Sequence, residues 1–140
     1  MRKVYISILT VLAFLAVSPG SMAIDHPGIT RPVKSVSDFV LIEDGKPVPI
    51  IVSSTDDTAV LRAAANLQND FFMVCGTRPE IRESAETDRA VIAGSLSSDL
   101  IKSMIADNLI DVRDLEGYRE KYVIRFVKNP VEGVGEALVI

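Results

Sequence analysis

Two turns place hydroxyl side chains directly before a helical pattern: Ser53 to Thr58, and Gly94 to Ser98. A turn of this kind at a helix N-terminus can offer backbone N–H groups to a phosphate or a carboxylate. In the first turn Asp56 and Asp57 would repel an anion, so capping of the helix by Ser54 or Thr55 is the expected role. In the second turn only Asp99 opposes an anion. Gly94, Ser95, Ser97 and Ser98 are therefore the candidate ligand residues, for a group such as a sugar carboxylate. Capping by Ser97 and Ser98 is the commoner use of such a turn.

Other chemistries find less support. Ala93-Gly94-Ser95-Leu96-Ser97 superficially resembles a serine elbow, but Leu96 stands where the G-x-S-x-G pattern needs its serine. The one histidine, His26, lies far in sequence from these turns, which excludes a Ser-His-Asp triad within this chain. One His and one Cys cannot build a structural zinc site, and no calcium-loop pattern is present. No metal, cofactor or catalytic residue is therefore assigned. Asp56/Asp57 and Asp111/Asp114 are sequence neighbours at helix ends, not carboxylates facing each other across a sugar ring. Phe39, Phe71, Phe72, Tyr122 and Phe126 fall mostly on faces read as core, leaving Tyr118 as the exposed aromatic. Cys75 reads as a small buried hydrophobe.

The elements that position these residues follow from apolar spacing. Asp44-Gly45 signals a hairpin between a strand at Phe39–Ile42 and a return strand at Val48–Val52, with Pro47 and Pro49 at an edge or bulge. Ile50-Ile51-Val52 is a β-branched run expected to be covered on both faces. A helix over roughly 56–75 carries Val60, Ala64, Leu67, Phe71 and Val74 as one apolar stripe, with Arg62, Asn66, Asn69 and Asp70 opposite. Gly76 is the expected C-cap, and Pro79 prevents the helix from resuming. Glu80–Arg82 is a weak strand. The plan then recurs: a buried strand at Ala90–Ala93, the Gly94–Ser98 turn, and a second helix marked by Leu100, Ile101, Met104, Ile105 and Leu109. A short helical turn within Asp111–Gly117, a strand alternating over Tyr122–Val127 and a final strand at Ala137–Ile140 complete the pattern. The expected fold is α/β, a mixed β-sheet with helices packed on it.

The N-terminus reads as a secretory signal. Arg2 and Lys3 precede an apolar run, Val4 to Val17, which is short for a membrane span. Pro19 and Gly20 break it, and Ser21-Met22-Ala23 has the form of a signal-peptidase site. The expected division is a signal peptide at 1–23, an extended leader at 24–36 and an α/β domain at 37–140, incomplete at its C-terminal strand. The whole chain has a net charge of −4, and cleavage would make it more acidic. An acidic exported domain is a poor nucleic-acid ligand, and after cleavage no membrane contact is expected. A single cysteine allows no intrachain disulfide.

Three segments, D-F-V-L-I-E-D-G-K-P-V-P-I-I-V-S-S-T-D-D-T-A-V-L-R-A-A-A-N-L-Q-N-D, A-V-I-A-G-S-L-S-S and E-A-L-V-I, resemble the N-terminal domain of glycoside hydrolase family 115, the xylan α-1,2-glucuronidases. A similar domain precedes the barrel in β-hexosaminidases and in the other α-glucuronidase family. The resemblance implies an accessory domain of an exported, periplasmic or extracellular bacterial enzyme that removes (4-O-methyl)glucuronic acid from xylan. It implies a catalytic (β/α)₈ barrel as partner, with xylan-type polysaccharide reached through it. The family's catalytic carboxylates lie in that barrel and have no matching positions here. The alternative is a free-standing exported carbohydrate-binding or interaction module with the same fold.

Export makes a direct prediction. The secreted protein should begin Ile24-Asp25-His26, as read by intact mass; retention of Met1 to Ala23 would refute the signal reading.

Overall fold

Ile50, Ile51 and Val52 sort themselves between two layers because successive strand residues point to opposite sides of a sheet. In the computed structural model Ile50 and Val52 join one apolar cluster and Ile51 the other, all three buried. The structure describes residues 38–140 except Glu116 and Arg119; the segments read as a signal and a leader, with His26, lie outside the described residues. The described residues fall within one compact unit.

The chain runs β1 (Ile42–Glu43), β2 (Lys46–Pro47), β3 (Ile50–Ile51), α1 (Thr58–Cys75), β4 (Ile81–Arg82), β5 (Thr87–Ile92), α2 (Asp99–Ala106), a 3-10 turn (Arg113–Leu115), β6 (Arg125–Lys128) and β7 (Val134–Val139). β1 and β2 form a small antiparallel ladder. Asp44 and Gly45 both have positive φ, 51° and 73°, as a two-residue hairpin turn requires. The expected return strand is divided. Lys46–Pro47 closes the hairpin, whereas Ile50–Ile51 enters a separate five-stranded sheet of order β4-β3-β5-β7-β6. Pro49 has no N–H to extend a ladder, and its carbonyl accepts from Val91 N–H at 3.0 Å.

β3 is parallel to β4 and to β5, β5 is parallel to β7, and only the edge strand β6 is antiparallel. The sheet is mixed, as expected. α1 covers one face with Ala64 and Phe71, packed on Ile50, Val52 and Val91. α2 covers the other with Ile101 and Met104, packed with Ile51, Ile92, Val127, Ala137 and Val139. Because β4 and β5 flank β3, the connection 83–86 passes across it and buries Ala85 beside Ile51, Ala90 and Ile92.

α1 begins at Thr58 rather than 56, and ends as expected at Gly76, whose φ of 75° lets its N–H reach Phe72 O at 2.8 Å. Its stripe stops at Phe71; Val74 is 77% exposed. An 18-residue helix is about 27 Å long, whereas two-residue strands such as β3 and β4 reach only about 7 Å. The sheet beneath is too short to underlie the last turn. Cys75 is half-buried rather than buried, with its thiol 3.4 Å from the Thr77 carbonyl.

The expected strand over Tyr122–Val127 is corrected to Arg125–Lys128, and Val127 is its buried residue. Tyr122, Phe126 and, on α1, Phe72 are exposed rather than in the core. The last strand starts earlier than expected, at Val134, because the β6–β7 turn is short.

The helix face gives a stability prediction. Phe71→Ala should cost ~3–5 kcal/mol, and Arg62→Ala, on the exposed side, no more than about 0.5 kcal/mol. Denaturant melts of both variants check this; equal losses would mean that α1 is seated on the wrong face.

Candidate functional site

The site grows from a difference in direction. The chain leaves β3 into α1 on one face of the sheet and returns at β4, on one side of β3. It leaves the neighbouring parallel strand β5 into α2 on the opposite face and returns at the edge strand β6, then β7, both on the other side of β5. The turns after β3 and β5 therefore diverge from adjacent strand ends. In open α/β sheets a crevice at the carboxyl ends of such strands is the usual ligand position.

Here the chain places its own carboxylate across that crevice. Asp56, in the turn after β3, accepts from the Ser95 hydroxyl at 2.6 Å and from Ser95 N–H at 3.1 Å, 39 residues away in the turn after β5. Asp56 Oδ1 also accepts from Asp57 N–H at 2.7 Å. The single Ser95 hydroxyl proton is committed to Asp56, so Ser97 must donate to Ser95 across their 2.8 Å contact. The result is a directed relay, Ser97 to Ser95 to Asp56.

Partial burial pushes the Asp56 carboxyl up. The Ser95 hydroxyl, the Asp57 and Ser95 N–H groups and a weaker pull from Ser98 outweigh it, so Asp56 sits below its ordinary 3.8. Ser98 is 5% exposed and occupies the N-cap of α2, but its side chain makes no capping bond and its Oγ has no partner within hydrogen-bond distance. Its effect on Asp56 is thus exerted from beyond that distance.

The four residues singled out in sequence converge here. Ser95 holds Asp56, Ser97 holds Ser95, Ser98 caps by position only, and Gly94 lets the turn close. A Cβ on Gly94 would meet Ile101 Cγ1 at 2.5 Å and Asp56 Oδ2 at 3.3 Å, and Gly94 N–H donates to Ile140 O at 3.1 Å. An incoming anion would face Asp56 as well as Asp99.

The first turn is also corrected. Asp57, not Ser54 or Thr55, caps α1, accepting from Ala59 N–H at 2.7 Å. Ser54 N–H instead donates to Glu83 at 2.9 Å, just past β4, and Ser53 and Thr55 bond each other at 3.0 Å. The turn after β3 is thereby tied to both neighbouring strand ends. The role of Asp56 was missed in sequence. The available signal was that two polar turns follow two apolar strands: if those strands are parallel neighbours, the turns must meet.

Of the other carboxylates, Asp111 is drawn down to about 2 by the Arg113 guanidinium, whose Nε lies 3.0 Å away. Glu83 is lowered by the side chain and N–H of Ser54. Beside the crevice, at the ends of β5 and β7, lies an apolar pocket of about 250 Å³ bordered by Leu96, Ile110, Val112, Tyr118 and Tyr122. Lys121 Nζ stands 3.4 Å from the centre of the Tyr118 ring, a cation–π contact at its rim. Among the described residues no His/Cys/Asp/Glu cluster has the makings of a metal site, and no helix is long and apolar enough to cross a membrane.

No protein-family model matches the chain, and no match to it was found among curated proteins.

The clasp makes a pH prediction. A carboxyl lowered in the folded state stabilises fully above its unfolded value and loses that contribution as pH falls through the folded value, here below 3.8. Asp56→Ala should therefore be less stable than wild type at pH 7, with the gap narrowing below pH 3.8 in paired thermal melts. Ser98→Ala should cost less than the ~1 kcal/mol of a working N-cap, because no capping bond is lost. A constant Asp56→Ala gap across that range would refute the clasp.

Proposed function

We propose that this chain is an accessory α/β domain of an exported glycoside hydrolase of the α-glucuronidase type. It would support a catalytic barrel that acts on xylan-type polysaccharide. The parentage rests on the three segments that resemble the family. The single structural observation supporting a non-catalytic role is the state of the carboxylate at the crevice. A glycosidase acid needs a raised pKa and an opposing base or nucleophile. Asp56 is lowered and fully engaged by Ser95 and Asp57. Asp111 and Glu83 are lowered too.

A second reading, a free-standing carbohydrate-binding or interaction module, draws support from Tyr118 and Tyr122. Both are exposed and flank the apolar pocket, with Lys121 between them in sequence. Aromatic faces of this kind are where a sugar ring would stack.

Purified chain incubated with glucuronoxylan should release no glucuronic acid, and should co-elute with a separately expressed barrel of that enzyme family. Release by the chain alone would refute the accessory role. Retardation in a glucuronoxylan affinity gel, abolished by Tyr122→Ala and without barrel binding, would select the free-standing module.

A further inference from the structure

The crevice between the ends of β3 and β5 holds a carboxylate already, that of Asp56. Its donors come from two turns: the Ser95 hydroxyl at 2.6 Å, Ser95 N–H at 3.1 Å and Asp57 N–H at 2.7 Å. A hydroxyl bond that short to an ionised oxygen is a strong one. Ser97 orients the Ser95 hydroxyl from 2.8 Å. One donor in the same turn is left over. Ser98 is 5% exposed and stands at the N-terminus of α2, yet its Oγ has no hydrogen-bond partner. Its pull on Asp56 directs it toward the carboxylate, which it does not reach. A buried hydroxyl left unpaired is costly, and a carboxylate not tethered at residue 56 could move within its range.

The Asp56 side chain can leave without dismantling its surroundings. Across the crevice it bonds to Ser95. Asp57 caps α1, and Ser54 N–H ties the turn to Glu83, so neither depends on Asp56. Asp56 and Ser95 are half-buried and Ser97 is exposed, which gives small solutes access. Gly94 shapes the remaining wall: a Cβ there would lie 2.5 Å from Ile101 Cγ1 and 3.3 Å from Asp56 Oδ2. A flat carboxylate fits beside that wall, whereas a tetrahedral anion would push a further oxygen into it.

We propose that this crevice is a latent binding site for the carboxylate of a small organic acid, kept closed by Asp56. When Asp56 swings out, the ligand carboxylate takes its place on the Ser95 hydroxyl and N–H and gains the Ser98 hydroxyl. The ligand class follows from the occupant that the donors already hold, and the position is the strand-end crevice that ligands use in open α/β sheets. The acidic groups nearby do not forbid it. Asp56 withdraws in the exchange, Asp57 is engaged by Ala59 N–H at the start of α1, and Asp99 is paired with Lys102 at 3.1 Å. In the closed protein a free acid must displace Asp56, so its apparent affinity falls with the fraction of molecules that are open. This proposal stands apart from the accessory-domain reading, because a free-standing module would carry the same two turns.

The test titrates sodium acetate into the full chain, wild type and Asp56→Ala, against sodium chloride and sodium sulfate at matched ionic strength. Amide NMR and thermal melts are the readouts. Acetate should shift the amides of 94–98 in Asp56→Ala saturably and raise its Tm above that in either other salt. Wild type should need about tenfold more acetate or beyond for the same shifts. Adding Ser98→Ala to Asp56→Ala should weaken acetate binding about threefold or more, and adding Ser95→Ala should abolish it. Should Asp56→Ala be unfolded in chloride, recovery of its helical circular dichroism by acetate gives the same answer. Five results would each overturn the proposal. Acetate acts on Asp56→Ala no more than chloride does, or leaves it unfolded; wild type and Asp56→Ala respond alike; the shifts map away from 94–98; sulfate binds as tightly as acetate; or Ser98→Ala leaves the acetate affinity of Asp56→Ala unchanged.

Discussion

Burial of both sides of β3 and β5 is the constraint on which the rest of this domain depends. Ile50, Ile51 and Val52 leave no polar side chain to face water, and neither do Ala90, Val91 and Ile92. Each side must be covered, so one helix is needed above and one below. Fully burying such a side chain is worth roughly 1.5–3 kcal/mol, comparable with a sizeable part of a domain's total stability. The strands that receive this cover are short, and α1 overhangs them. That is why its stripe ends at Phe71 and why Phe72, Met73 and Val74 stay in solvent.

The same constraint creates the crevice. Helices on opposite faces force the turns after two neighbouring parallel strands apart, and the gap exposes strand-end backbone and helix N-termini. The domain fills the gap with its own charge. Asp56 meets the Ser95 hydroxyl and two N–H groups, which favour its ionised form over the burial that opposes it. Gly94 permits this closeness, since a Cβ there would strike Ile101. Ser97 orients Ser95, and Ser54 ties the same turn to Glu83. The turns therefore act as a brace between strand ends, with hydroxyls and amides directed at the chain's own carboxylates.

Cover on the two faces is unequal. The α2 face is completed by Ile110, Val127 and Val134, all buried. On the α1 face the apolar rows continue past β5, where no described helix lies over them, and Phe39 leans edge-on against Phe126. The charged row Arg89, Glu136, Lys128 bounds that stripe at one end. Apolar and charged residues thus lie side by side in register, and the charged row is paired within itself through Glu43, Arg89 and Glu136.

The sequence by itself determined what depends on neighbours a few residues apart. Apolar spacing located α1 and α2, Asp44-Gly45 specified the hairpin, Gly76 ended α1, and the β-branched runs marked β3 and β5 as strands within a mixed sheet. These features arise from local periods and backbone preferences that each residue carries with it. Tertiary structure decided what depends on which strand lies beside which. It split the expected return strand at Pro49, sending Ile50–Ile51 to the centre of the sheet. It left Tyr122 outside any strand and turned Phe126 outward, because β6 is an edge strand that α1 does not reach; alternation alone gives two faces without saying which is covered. It also joined Asp56 to Ser95 across 39 residues, a pairing set by the parallel register of β3 and β5 and by the opposite departures of their chains.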